Sequence, residues 1–295
     1  MDWQERLIGL YLYICDHYET HLWVHAQRLS NNDDPKFSDE EVLTLYLFGI
    51  MQKYTTIKAI YTYTQDHLHD WFPTLPTYEG YVQRLNRLAT TFSPLVEQIV
   101  ADCPSCECFW HSHLVDSFPC VMANAKRSGK ACVAAHLANK GFCASKGMWY
   151  YGVKLHIVAK RSVTGLPKPD YISLTGAADH DLSALRPLLP YLHHGQLYGD
   201  KIYSHQTLKD TLYTKQNLAF YTPVKKKKGQ DILPAADQVL SRTVSRIRQP
   251  IESLFHWIDE KTGISMASKV RSYNGLLVHV FGRLAAACFL LAFNS

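Results

Sequence analysis

His113-Leu114-Val115-Asp116-Ser117-Phe118 is a short apolar run with one carboxylate at its centre. It reads as a strand, because such residues fit a pleated, half-buried surface. Acidic side chains are rarely buried without a partner, so Asp116 needs a reason to be there. Downstream, Tyr150 to Val158 alternates and is rich in strand formers, and Tyr171 to Leu174 is a third candidate strand. Asp181 can cap a helix reaching toward Leu192, a reading that Pro187 and Pro190 weaken. Gln196 to Asp200 forms the next strand, Gln206 to Tyr213 a helix, and Leu218 to Pro223 the last strand. A helical stretch from Val239 to Glu260 carries Glu252, and Pro250 must kink or divide it. Three strands, a helix, a strand, a helix, a strand and a final helix predict an α/β unit with a mixed sheet flanked by helices.

Toward the N-terminus the pattern turns helical. Leu7, Leu10, Ile14 and Tyr18 recur at helical spacing. Ser38-Asp39-Glu40-Glu41 is a capping box ahead of Val42 to Leu47. Another helix is expected from Ile57 to Trp71, before Pro73 and Pro76 break the chain. Thr77 can cap a helix to about Phe92, on which Tyr78, Tyr81, Leu85, Leu88 and Phe92 make one apolar stripe. Ser93-Pro94 then opens a helix through Val100. Arg84 and Arg87 share a face off that stripe. They suit either the reading helix of a helix-turn-helix, touching DNA, or an ordinary bundle helix with solvated arginines.

The 295 residues are 47% hydrophobic, enough for a sizeable core, and carry a net charge of +5. That charge is uneven. From Lys201 onward, 14 Lys and Arg face 6 Asp and Glu, so the last third is basic and suits a polyanion such as DNA. Asp2 and Glu5 are wrong for the basic start of a secretory signal, and the apolar run Leu7 to Ile14 is short. Leu276 to Phe293 is interrupted by His279, Gly282 and Arg283, and is expected as a buried helix rather than a membrane span. The expected location is therefore the cytoplasm, where eight cysteines stay reduced. Cys103, Cys106, Cys108, His111 and His113 approach zinc-ligand spacing without matching a standard pattern, so zinc is not expected. His156 reads as a satisfied polar core residue.

Asp116 in the first strand, Asp200 at the end of the fourth and Glu252 on the late helix form one set of carboxylates. Mg²⁺ takes oxygen ligands, and two such ions can activate an attacking water or 3′-hydroxyl and stabilise a leaving phosphodiester oxygen. Without metal, the clustered charges should raise at least one pKa.

These residues lie in blocks that resemble the DDE transposases of small bacterial insertion sequences, of the insertion-sequence 982 type. The blocks are Val115 to Cys120, Gly141 to Lys146, Tyr150 to His156, Tyr198 to Tyr203, Ile251 to Phe255 and Lys269 to Ser272, with a weaker one from Phe37 to Leu45. The resemblance implies an RNase H-like catalytic domain over residues 102–295 and a helical region over 1–101 for DNA-end binding or dimerisation. It implies catalytic, metal-binding roles for Asp116, Asp200 and Glu252, with two Mg²⁺ ions that Mn²⁺ can replace. The partners it implies are DNA, as terminal inverted repeats and target, and a second copy of the chain on that DNA at the bacterial chromosome. No membrane is expected. Candidate DNA contacts are Lys154, Lys201, Arg246, Arg248 and Arg271, together with Arg84 and Arg87. Lys225, Lys226, Lys227 and Lys228 form a lysine run that either grips phosphates or is a solvated loop. Some related enzymes carry a Tyr, an Arg and a basic residue around the glutamate. Here Arg248 is present, whereas the other two positions hold Ser245 and Asp259, with Lys261 out of register. Two rivals remain: a domesticated DNA-binding protein, and an RNase H-like nuclease that cuts without joining.

Overall fold

The computed structural model describes residues 2–27, 35–103, 108–144 and 146–293, without the side chains of Cys108 and Trp110. It divides into a helical unit, residues 1–104 with 258–295, and an α/β unit, residues 105–257.

The helical unit begins with α1 (Trp3–Thr20), α2 (Asp39–Met51), α3 (Ile57–His67), α4 (Tyr78–Arg87) and α5 (Phe92–Asp102). Their starts follow from local chemistry. Ser38 Oγ accepts from Glu41 N while the Glu41 carboxylate accepts from Ser38 N, closing the expected capping box. Thr56 and Thr77 cap α3 and α4 with their hydroxyls, which accept from Ala59 N and Gly80 N. α3 stops at His67, where Trp71 N and Phe72 N turn back to Leu68 O. α4 ends at Arg87 rather than near Phe92, and a 3₁₀ turn, Leu88–Thr91, links it to α5, whose first turn holds Ser93 and Pro94. Tyr81, Leu85, Leu88 and Phe92 are buried, as their stripe requires.

The α/β unit contains β1 (Cys108–Asn124), α6 (Ala125–Ser128), β2 (Asn139–Cys143), β3 (Met148–Ser162), β4 (Lys168–Gly176), α7 (Asp181–Leu185), β5 (Gly195–Tyr198), α8 (Gln206–Gln216), β6 (Leu218–Tyr221) and α9 (Ala235–Thr262), whose residues to Trp257 belong here. The strand order is β2-β3-β1-β5-β6, with β4 also on β3. β3 runs antiparallel to β1, β2 and β4, whereas β5 is parallel to both β1 and β6. This is the mixed sheet of an RNase H-like α/β fold.

Several elements differ from expectation for physical reasons. β1 is far longer than His113 to Phe118 and passes through Pro119. It pairs with β5 only at Ser112 to Leu114, so its edge beyond Leu114 has no strand partner and tolerates a missing amide. β2 has no alternation and contains Gly141, so nothing in its sequence marks it as a strand. α7 ends at Leu185, and the stretch with Pro187 and Pro190 becomes turns and a 3₁₀ turn at Leu189–Tyr191. α9 carries Pro250 inside one unbroken helix. Val115, Val158, Leu182, Leu185, Leu197, Tyr203, Leu212 and Phe220 form the core on one face of the sheet. On the other face Phe118 stacks on Phe255 of α9, with ring centroids 5.3 Å apart.

The helical unit closes with α10 (Tyr273–Leu277), which runs through a π turn at Val278–Gly282 into α11 (Arg283–Phe293). The expected domain boundary differs here: residues 258–295 group with the N-terminal helices. The cause is α11, apolar on nearly every side, which is covered by α2 and α5. Tyr273–Phe293 is long and apolar enough to cross a membrane, and 72% of that window is buried within the structure.

Inside this unit His279 Nδ1 accepts from Arg283 Nε at 3.2 Å, and its other ring nitrogen donates to Ile264 O at 3.0 Å. Burial, reinforced by the Arg283 charge, lowers the His279 pKa to about 3. The unfolded histidine titrates near 6.5, so below that pH the unfolded chain takes up a proton that the native chain refuses. Stability is therefore lost as pH falls from 6.5 toward 3. Urea unfolding should be easier at pH 5 than at pH 7. His279→Gln, which keeps a donor and an acceptor, should shrink that difference by about 2 kcal/mol. An equal difference in both proteins would mean that His279 does not drive the acid limb.

Candidate active site

Strand alternation decides which side chains meet. Asp116 pairs with Ile157 across β1 and β3, and Leu114 pairs with Tyr198 across β1 and β5. Two residues further along each chain, Asp116 and Asp200 therefore lie toward the same face, the one covered by α9. Asp200 sits just past β5, at the start of a 3₁₀ turn, Lys201–Tyr203. Glu252 lies one turn after Arg248 on α9.

Two of these acids meet at one guanidinium. Arg248 Nη1 donates to Asp116 Oδ2 at 2.5 Å, and Nη2 donates to Glu252 Oε1. The Asp200 charge acts on both Asp116 and Arg248. The Asp200 carboxylate accepts no hydrogen bond from the described residues, whereas Asp116 Oδ1 also accepts from Ser117 N at 2.8 Å. Exposure grades the set: the Arg248 side chain is 13% exposed, Asp116 21% and Glu252 54%, so Glu252 is the solvent-side member.

Burial raises the Asp116 pKa to about 6, against the pull of Arg248 and the Ser117 amide. Repulsion from Asp200 adds to the rise but is not its main source, in contrast to the expectation from clustered charge alone. The neighbouring carboxylates hold the Arg248 guanidinium above its ordinary pKa despite its burial. Behind the acids the Tyr203 hydroxyl is buried without a hydrogen-bond partner and feels Asp181, Asp116 and Asp200. Nothing in the sequence singled Tyr203 out, although it ends the block that carries Asp200.

The donors are carboxylate oxygens, the ligand type that suits a hard divalent cation. Among the described residues, no group of three His, Cys, Asp or Glu stands close enough to hold a metal ion. The positive charge among the acids is instead the guanidinium. His111 is exposed with Nδ1 against His194 O at 3.1 Å, and His113 Nε2 lies 3.4 Å from Asp170. Cys106 lies outside the described residues, as does the Cys108 side chain.

The other candidates fall in different places. Lys154 alternates onto the opposite face from Asp116 and donates to Asp181 at 2.6 Å and to Asp179 O. His156 is buried near it, donating or accepting at Thr175 Oγ1 at 2.7 Å, and burial holds its pKa low. Lys201 and Arg246 are exposed. Lys225 to Lys228 are exposed around a turn, with Lys226 bonded to Asp231 O. In the helical unit Arg271 is exposed and donates to Ser268 O and Val270 O. Arg84 and Arg87 are not free: both pair with Asp39, itself 6% exposed, at 2.7 and 2.9 Å. A buried carboxylate without partners is costly, and the two arginines, with the Tyr18 hydroxyl at 3.1 Å, supply them. Asp259 accepts from Ser265 N and Oγ at 2.9 and 3.0 Å, holding the turn after α9.

A comparison with curated proteins finds no match. Among family models, the transposase DDE domain matches residues 110–270. That match covers β1 through the turn after α9, with Asp116, Asp200 and Glu252 all inside it. Extending over more than half of the 295 residues, it shows that this chain belongs to the DDE-domain transposases.

Proposed function

We propose that the chain cuts DNA at the ends of a small bacterial insertion sequence of the 982 type and joins the freed 3′ ends to target DNA. One observation carries this reading: Asp116 and Glu252, far apart in sequence, both bond the Arg248 guanidinium, and the Asp200 charge acts on the same group. Asp116, Asp200 and Glu252 would hold two Mg²⁺ ions, for which Mn²⁺ substitutes, once the acids draw together and Arg248 gives way, because they do not stand close enough as they are. When bound, the ions supply Lewis acidity to the attacking and leaving oxygens of an in-line displacement. Asp200, with no donor on its carboxylate among the described residues, is the acid most available for this. Asp116, largely buried, supplies a carboxylate whose attraction for a cation is strengthened by the low local dielectric. Arg248 balances the acids in the absence of other cations and lies beside any phosphate that approaches them. Lys201, Arg246 and the lysines from Lys225 to Lys228 are exposed donors for the DNA backbone. The protein acts as a homodimer on DNA, in the cytoplasm at the bacterial chromosome.

The test uses purified protein, labelled DNA carrying the element ends, Mg²⁺ or Mn²⁺, and a gel that resolves nicked from joined products. Nicked ends followed by joined products are expected. Nicking without joining would favour a nuclease, and binding without nicking a domesticated DNA-binding protein.

A further inference from the structure

Away from the acids, the helical unit contains a half-open cleft of about 490 Å³. Lys58, Lys269, Arg271 and Arg283 line it, and among the described residues no aspartate or glutamate does. Two helices start at its wall. Thr56, Ile57 and Lys58 bring the N-terminus of α3, and Ser272 and Gly275 bring the start of the helical run Tyr273–Phe293. Helix N-termini present unpaired N–H groups and a partial positive charge, which favour anions.

Arg283 is the second, independent sign. It is 5% exposed, and its donors end on neutral acceptors: His279 Nδ1 at 3.2 Å, Thr55 O at 2.6 Å and Thr262 O. Among the described residues no carboxylate pairs with it. A buried cation without a counter-charge is costly, and a bound anion in the cleft would offset that cost. Lys58, exposed, stands over the Tyr78 ring at 4.6 Å, and Lys269 and Arg271 are exposed opposite neutral groups. The volume exceeds what a bare phosphate fills and lies in the range of small-ligand sites. Tyr78 and Val82 add a partly apolar wall suited to a sugar or base.

We propose that this cleft binds one phosphodiester of a DNA strand, with the attached sugar against Tyr78. The proposal rests on the reading that DNA is the substrate, and it places a DNA-binding site in the helical unit. Its test is equilibrium binding of a fluorescent duplex with a single-stranded tail, in chelator, across a salt series. The combined variant Lys58→Ala, Lys269→Ala, Arg271→Ala removes only exposed side chains, and its thermal melt checks the fold. Binding should weaken on the order of 30-fold, because charge-assisted hydrogen bonds to the phosphate are removed. The salt dependence should become shallower by about 0.7–0.9 for each phosphate that the variant no longer neutralises. Gly129→Ala, outside the cleft and with nothing near its Cβ position, should bind like the wild type. Unchanged affinity and salt slope in the combined variant would overturn the proposal. So would inorganic phosphate that raises the melting temperature of the wild type alone while both proteins bind DNA equally, since the cleft would then take a free anion. Loss of binding in the variant, with a wild type that binds but never nicks, would uphold the cleft and reject the proposed catalysis.

Discussion

Replacing Asp116, Asp200 or Glu252 by alanine is expected to lower Mg²⁺-dependent nicking by about 10³-fold or more, with DNA affinity little changed. The size follows from losing several kcal/mol of transition-state charge stabilisation, at about 1.4 kcal/mol per tenfold. Binding survives because phosphate contacts come from lysines and arginines elsewhere. The stability of the variants should separate function from folding. The folded pKa of Asp116 is raised to about 6, above the unfolded value near 3.9. Its favourable contribution is therefore present at low pH and lost as pH rises through about 6. Above that pH, Asp116→Asn should cost the metal-free protein little stability, because a desolvated charge is removed and Arg248 keeps Glu252. Single-turnover nicking beside urea unfolding at pH 7.5 checks both halves. Nicking within tenfold of the wild type would remove that residue from the site.

The largest expected loss of stability comes from a single methyl group. Gly152 lies on β3 opposite a slip in the ladder between Val121 and Ala123. That bulge brings the neighbouring backbone close: a Cβ on Gly152 would stand 2.1 Å from Cys120 O and 3.2 Å from Met122 N. Both obstacles are main chain of the central strand, which cannot turn aside as a side chain could. Gly152→Ala should cost about 3 kcal/mol or more, or leave the protein insoluble. Gly129→Ala is the control, because nothing lies within 4 Å of its Cβ position and its φ of −77° suits any residue. That variant should stay within about 0.5 kcal/mol of the wild type. Measured urea midpoints decide, and a loss below about 1 kcal/mol for Gly152→Ala would mean that β1 and β3 can part locally. A reason for glycine within Tyr150 to His156 thus emerges from packing rather than chemistry.

Local residue patterns determined much of this protein by themselves. The cap at Ser38, the stripe through Tyr81, Leu85 and Leu88, the alternation through β3 and the strand character around Asp116 depend on neighbours a few residues away. The order of the blocks around Asp116, Asp200 and Glu252 pointed to a DDE-domain transposase. Contacts over long sequence separations could be decided only by the tertiary structure. β2 is a strand because β3 offers it an edge, although its own residues do not alternate. Lys154 faces Asp181 rather than Asp116 because register, not strand adjacency, sets the face. Arg84 and Arg87 answer to Asp39, a buried charge 45 and 48 residues away. Residues 258–295 join the N-terminal helices because an all-round apolar helix must be covered on every side. Arg248 reaches Asp116 across 132 residues, and this pairing of a largely buried carboxylate with a guanidinium exists only once the fold has brought the two together.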